Sequence, residues 1–251
     1  ASPWLKLLGY AIGLPLAGAV CAALIAVIVV VLANDRLPDI DSLVDYRPKL
    51  PLRVYSADGV LIGEFGEERR DFVQIDDVPL MMRGAILAAE DARFFEHSGV
   101  DFIGIARAAV TNVLSGGRDQ GASTITMQVA RNFFLSSEKT YTRKIYELLL
   151  TMKIENLLTK EQILELYMNQ IFLGQRANGF AAAAEIYFGK KLKDVTVAEA
   201  AMLAGLPKAP SAYNPVSNPK RPTIRQRYII DRMFVGGFIT EAQHDEALTQ
   251  T

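Results

Sequence analysis

From Leu7 to Asn34 the chain carries no charged side chain, a run longer than the ~20 residues that cross a bilayer as a helix. A helix that is apolar all round needs lipid or a large core around it. A chain of 251 residues has room for one sizeable core and little more. The run therefore reads as a membrane anchor. Its length argues against a cleaved signal, whose apolar region is only ~7–15 residues. Trp4 and Lys6 precede it, and Asp35, Arg36, Asp39 and Asp41 follow. This weak positive bias puts the N-terminus in the cytoplasm and the rest of the chain outside, in a periplasm or its equivalent.

The remainder divides by local signals. Pro38, Pro48 and Pro51 stand among acids and predict an extended stalk. After them "LRVYSADGVLIGEF" alternates branched and aromatic residues around Asp58-Gly59, a hairpin signal. From about residue 76 onward helical periodicity dominates. The pairs Thr159/Gln162, Thr196/Glu199 and Thr240/Gln243 have capping-box spacing and predict three helix starts. Gly205, Pro207, Pro210 and the run "NPVSNPKRP" predict a long irregular connection before the last helices. The expected organisation is an anchor over 1–36, a stalk and β-hairpin over 37–75, and one mostly helical globule over 76–251. A formal net charge of -1 argues against nucleic acid as a partner. One cysteine, in the apolar run, and two histidines supply neither a disulfide nor a metal-binding set.

Within the globule, "AAEDARFFEH" places Glu90 and Asp91 in apolar surroundings, a costly position for charge. If the stretch is helical, Ile86, Leu87, Phe94 and Phe95 wall the acids and raise a carboxyl pKa, which suits general-base chemistry. The plainer alternative is a helix-end acid paired with Arg93. His97 shares the face of Glu90 if the helix reaches it, although Ser98-Gly99 reads as a stop. Downstream, Gly116, Gly117 and Gly121 lead into Ser123, Thr124 and Thr126 at a helix start, a pattern that presents N–H groups and hydroxyls to phosphate oxygens or simply caps a helix. Gln128 and Arg131 lie one and two turns on. For Phe133-Phe134-Leu135, contact with a bilayer and packing in the core are equal alternatives. Arg143 and Lys144 face Glu147 at i+4 and i+3, the spacing of an ordinary surface pair or of a cationic site. A further helix carries Glu165, Tyr167 and Asn169 among aliphatic residues.

In chain order these segments read Glu90-Asp91-x-x-Phe94-x-x-His97-x-Gly99, Gly121-Ala122-Ser123-Thr124-Ile125-Thr126-x-Gln128, Arg143-Lys144-x-x-Glu147, Ile163-Leu164-Glu165-x-Tyr167-x-Asn169 and Arg225-x-x-x-Ile229-Ile230-x-x-Met233. The series resembles the five motifs of the peptidoglycan glycosyltransferases, in register over about residues 55 to 250. The resemblance implies a mainly α, lysozyme-like glycosyltransferase domain with a small membrane-facing jaw lobe, behind an N-terminal transmembrane helix and a short β-hairpin. It implies polymerisation of lipid II at the outer face of the bacterial inner membrane, with Glu90 as the base for an inverting transfer and undecaprenyl pyrophosphate as the leaving group. It makes Glu147 the second catalytic acid, holding Arg143 and Lys144 near the pyrophosphate. Ser123, Thr124, Gln128 and Arg131 would line the donor side. Asp91, Phe94, His97, Asn132, Tyr167 and Asn169 would sit near the sugars or in the framework around them.

By the same resemblance no cofactor is tightly bound and no protein-held metal is implied; Mg2+ or another divalent cation at the donor pyrophosphate is optional. The partners implied are lipid II, the growing glycan chain, the membrane and other cell-wall synthesis proteins, not nucleic acid. Met127 stands where many members have glutamine, and Arg131 where many have lysine, which keeps the charge but changes its geometry. The ending "RYIIDRMFVGGFITEAQHDEALTQT" resembles the lead into the second half of a class A penicillin-binding protein, so a fragment of a bifunctional protein is expected ahead of a free-standing enzyme. Ser136-x-x-Lys139 matches an acyl-serine motif, but no S-x-N or K-T-G follows. Two other classes stand against the glycosyltransferase reading. A lytic hydrolase would not need the basic sets, and a catalytically dead scaffold would not need its acids.

Overall fold

A computed structural model describes residues 37–44, 46, 48, 51–66, 68–115, 123–135, 140–216 and 220–250, with isolated positions between 16 and 31. The fold is mainly helical with few strands. The expected anchor lies almost wholly outside the described residues; its described positions Leu16, Val20, Leu24, Ile28 and Val31 are helical and exposed. No helix among the described residues is long and apolar enough to cross a membrane. The glycine-rich lead-in at 116–122 also falls outside them.

Three helices make the centre: α1 (Leu80–Glu90), α7 (Val197–Gly205) and α8 (Lys220–Val235), with α7 packed against both others. The reason is side-chain size. Ala198, Ala200, Ala201 and Ala204 are buried on α7, and small residues let helix axes approach. Gly84 serves the same end on α1, since a Cβ there would lie 2.8 Å from Phe238 Cβ. Beside this centre α3 (Ile125–Phe134) rests on α4 (Tyr141–Leu157) and α5 (Lys160–Gln170). Phe94, Met82, Ile86, Leu150, Ile154 and Tyr167 belong to one continuous core spanning both groups. Helices α2 (Phe102–Ser115), α6 (Phe180–Phe188) and α9 (Glu241–Thr249) complete the set.

All three capping boxes are formed. Thr159, Thr196 and Thr240 cap α5, α7 and α9, each with both reciprocal hydrogen bonds to its partner at N3. At α5 the Gln162 N–H donates to Thr159 Oγ1 at 3.3 Å and the Thr159 N–H to Gln162 Oε1 at 2.8 Å. Replacing Thr159 by alanine leaves a helix-start N–H without its acceptor and is expected to cost about 1 kcal/mol. In a chain of this size that lowers Tm by about 2–4 °C; an unchanged Tm by circular dichroism would remove the cap from the account.

The hairpin forms as the sequence predicts. β1 (Leu52–Tyr55) pairs antiparallel with β2 (Leu61–Phe65), and Gly59 in the turn has φ +83. Its apolar residues are not covered: Leu52, Ile62 and Phe65 are all exposed. A second, two-residue parallel pairing joins β3 (Arg69–Arg70) to β4 (Ala177–Asn178). The segment expected to be a free stalk lies, where described, against the helices. Ile40 and Leu43 enter the core, and the Tyr46 hydroxyl donates to Gln170 Oε1 at 2.7 Å. Tyr46 also meets the Phe133 ring edge-on at 4.8 Å. That contact answers the question posed by Phe133-Phe134-Leu135, whose side chains are partly buried against the core.

Candidate active site

Helix α1 ends at Glu90, sooner than the periodicity of "AILAAEDARFFEH" suggests. Asp91 takes φ -158 and ψ 77, and residues 92–99 are turns. The physical cause lies elsewhere in the chain. The Asp91 carboxylate accepts the Ile125 N–H at 3.1 Å and meets His97 Nε2 at 3.0 Å. The two side chains are 3% and 8% exposed. Asp91 thus places a carboxylate at the N-terminus of α3, where orphan N–H groups and the helix dipole favour it. His97 reaches it from a turn, not from a continued helix.

The neighbouring acid has a different setting. Among the described residues Glu90 Oε2 accepts one hydrogen bond, from Gln128 Nε2 at 2.8 Å. Burial raises the Glu90 pKa above the usual carboxylate value, while the Gln128 hydrogen bond and the charges of Arg225, Arg131 and Lys208 pull it back down. Arg93 does not pair with it; that guanidinium is taken by Asp101. Phe94 is fully buried, whereas Phe95 is exposed and forms no wall. Of the two adjacent acids, one is spent on structure and the other stays available for proton transfer.

Glu90 opens into a cleft of about 280 Å³. The end of α1 contributes Glu90 and Asp91, and the start of α3 contributes Ser123, Thr124, Gln128 and Arg131. Thr124 is the N-cap of α3, its hydroxyl oxygen accepting the Met127 N–H. The cleft is also lined by Lys208, from the turn after α7, with Arg225, Tyr228 and Arg232 from α8. Arg107 of α2 adds a further cation. A pKa-raised carboxyl facing several cations can take a proton from a hydroxyl while a neighbouring anion is held and stabilised.

The other expected site residues lie outside the cleft wall. Lys144 Nζ contacts Glu147 Oε1 at 2.6 Å, and the Glu147 side chain is fully buried. Glu147 Oε2 and Arg143 Nε are buried without partners among the described residues. Asn169 is a strap: its amide donates to the Val73 carbonyl at 2.8 Å and accepts the Val73 N–H at 2.9 Å. Tyr167 is buried against Phe180, and its hydroxyl has no partner among the described residues. Burial, then the charge of Glu90, pushes that phenol well above its ordinary pKa. Phe94 supports Lys160, whose Nζ stands 4.4 Å from the ring centroid. Asn132 is exposed. Met127 is buried in the core, as its position on α3 predicts.

Sequence reasoning passed over Lys208, Arg232, Tyr228 and Arg107. Lys208 sits in "GLPKAP", which reads only as a helix terminator; the single available signal was a lysine held between two prolines beside a buried helix.

Residues 58–234 match the model of the transglycosylase family. The chain is similar to "Penicillin-binding protein 1A" of Neisseria meningitidis serogroup A, 56% identical over 245 residues, which cover 98% of this chain and 31% of that protein. It is similar to the protein of the same name from Escherichia coli K12, 51% identical over 217 residues, covering 86% of this chain and 26% of that one. Among solved structures it resembles penicillin-binding protein 1A from Haemophilus influenzae at 32% identity and TM-score 0.45, covering 81% of this chain and 21% of that one. The chain spans less than a third of the length of these relatives.

Proposed function

Because the chain belongs to the transglycosylase family, we propose that it polymerises lipid II into glycan strands at the outer face of the bacterial inner membrane. One observation carries the reading: Glu90, its pKa raised by burial, faces a cleft lined by cations. An acceptor sugar hydroxyl is a weak acid, and a base with a raised pKa matches it better than an ordinary carboxylate does. Glu90 takes the proton of the acceptor 4-hydroxyl, the oxygen forms a bond to C1 of the donor sugar, and the C1–O bond to the lipid pyrophosphate breaks with inversion. Arg131, Lys208 and Arg232 are placed to hold the charge that develops on the leaving group. Lys144 pairs with Glu147 along α4.

Two of the cleft acids have protein partners. Asp91 is committed to His97 and the Ile125 N–H, and Asp101 to Arg93 and the Gly104 N–H. Among the described residues no group of three or more His, Cys, Asp or Glu side chains gathers. A divalent cation would be carried by the pyrophosphate oxygens of the substrate, and no step depends on it.

Membrane contact belongs to the same proposal. Besides the apolar run near the N-terminus, α2 exposes Phe102, Ile103, Val110 and Val113, all large and apolar. Their spacing puts them on one helical face. This face, in place of Phe133 to Leu135, supports the reading of a lobe that rests on lipid.

Incubation with labelled lipid II tests the function. The expected products are long strands, with one undecaprenyl pyrophosphate released per bond formed. Shorter muropeptides without released lipid pyrophosphate would assign the cleft to hydrolysis instead.

A further inference from the structure

Arg225 joins the helix that carries the base to the one that closes the cleft. Its stem runs against Gly205 of α7, where a Cβ would lie 3.0 Å from Arg225 Cγ, so glycine leaves the room the stem occupies. Its guanidinium lies over the Tyr228 ring, Cζ 5.0 Å from the centroid. Nη2 donates to the Ala89 carbonyl at 3.2 Å. Ala89 immediately precedes Glu90 in the last turn of α1, where carbonyls lack intrahelical donors. We propose that Arg225 is the positioning residue of the Glu90 base, clamping the last turn of α1 through the Ala89 carbonyl and presenting a fixed cation to the carboxylate that follows.

The inference rests on the reading of Glu90 as the base. Other groups face Glu90 as well: Gln128 and Arg131 from α3, Lys208 from the turn after α7, and Tyr167 from α5. Of these cations Arg225 also holds the α1 backbone. A guanidinium offers a planar fork that can donate to a carbonyl and keep its charge over a neighbouring site, which an ammonium does poorly. Its charge favours the ionised form of Glu90. Without it the base picks up its proton at higher pH.

Arg225→Gln removes the charge and leaves only a shorter amide donor; Arg225→Lys keeps the charge and removes the fork. Two readings are taken on each, with the parent beside them. One is kcat/KM for lipid II against pH, and the other is the carboxyl 13C titration of Glu90, assigned by the loss of its signal in Glu90→Gln. Arg225→Gln is expected to move both midpoints upward, with a loss on the order of tenfold on the acidic limb that narrows at high pH to the loss that Arg225→Lys shows. Arg225→Lys is expected to keep the midpoints and lower kcat at every pH by about threefold, with KM unchanged, through looser placement of α1. Coincident Glu90 titrations in Arg225→Gln and the parent overturn the inference. If Arg225→Gln does not fold by circular dichroism, an unchanged kcat in Arg225→Lys overturns it. A parent chain that leaves lipid II untouched counts against the function, while the 13C titration still decides the coupling between Arg225 and Glu90.

Discussion

Lys144→Met is expected to destabilise the protein by about 2–3 kcal/mol, a large effect for a half-exposed residue. The cause is its partner. Glu147 is fully buried, Lys144 Nζ lies 2.6 Å from one of its oxygens, and the other oxygen has no partner among the described residues. Removing one member of a buried pair strands a charge and typically costs ~3–5 kcal/mol. Because Lys144 is 45% exposed, water replaces part of the lost interaction, and the lower figure follows. Adding Glu147→Gln to Lys144→Met removes the stranded charge and is expected to recover most of the loss. A double-mutant cycle from urea midpoints then gives a coupling of about 1–2 kcal/mol. Additive effects would show that the two side chains act separately.

Glu90→Gln is expected to lower lipid II polymerisation by at least ~100-fold, the smaller end of what a positioned general base contributes. The amide is close to isosteric, so it fills the place of the carboxylate beside Gln128 and cannot accept the proton. The same change should raise stability at neutral pH. The sign follows from linkage: a carboxyl whose pKa is raised by folding binds its proton more tightly in the native state than in the unfolded one. Native stability therefore falls as pH rises through the interval between the two values. The variant carries no such penalty, so its Tm should exceed the parent's at neutral pH and approach it in acid. A variant that polymerises at the parental rate removes Glu90 from the mechanism. A variant with lower Tm at neutral pH would mean that the carboxylate is stabilised, not strained, by its site.

How far the sequence alone could go depended on the distance between interacting residues. The capping boxes were legible because each needs only two residues three positions apart. The hairpin was legible for the same reason, its turn being marked by Asp58-Gly59. Glu90 stood out through its apolar neighbours, and the resemblance supplied its role. The division of labour between Glu90 and Asp91 was not legible. It is decided by Gln128 and the Ile125 N–H, 38 and 34 positions away, and the same long-range bonds end α1 where helical periodicity would continue it. The cationic lining was missed because Lys208 and Arg232 reach the cleft only through the packing of α7 and α8 on α1. Asn169 was legible only as a choice between the sugars and the framework around them; its amide bonds Val73 and the Glu165 carbonyl, 96 and 4 positions away. The proline-rich segment after the apolar run reads as a stalk because nothing local reveals that Ile40 and Leu43 have a core to enter.

The central claim is that a carboxyl lifted by burial is the base for glycosyl transfer, and the pH dependence of kcat/KM for lipid II tests it most directly. The account predicts polymerisation that declines with single-proton slope on an acidic limb lying above the ordinary glutamate range. A rate that holds constant down into that range, or a limb that persists in Glu90→Gln at parental activity, contradicts it.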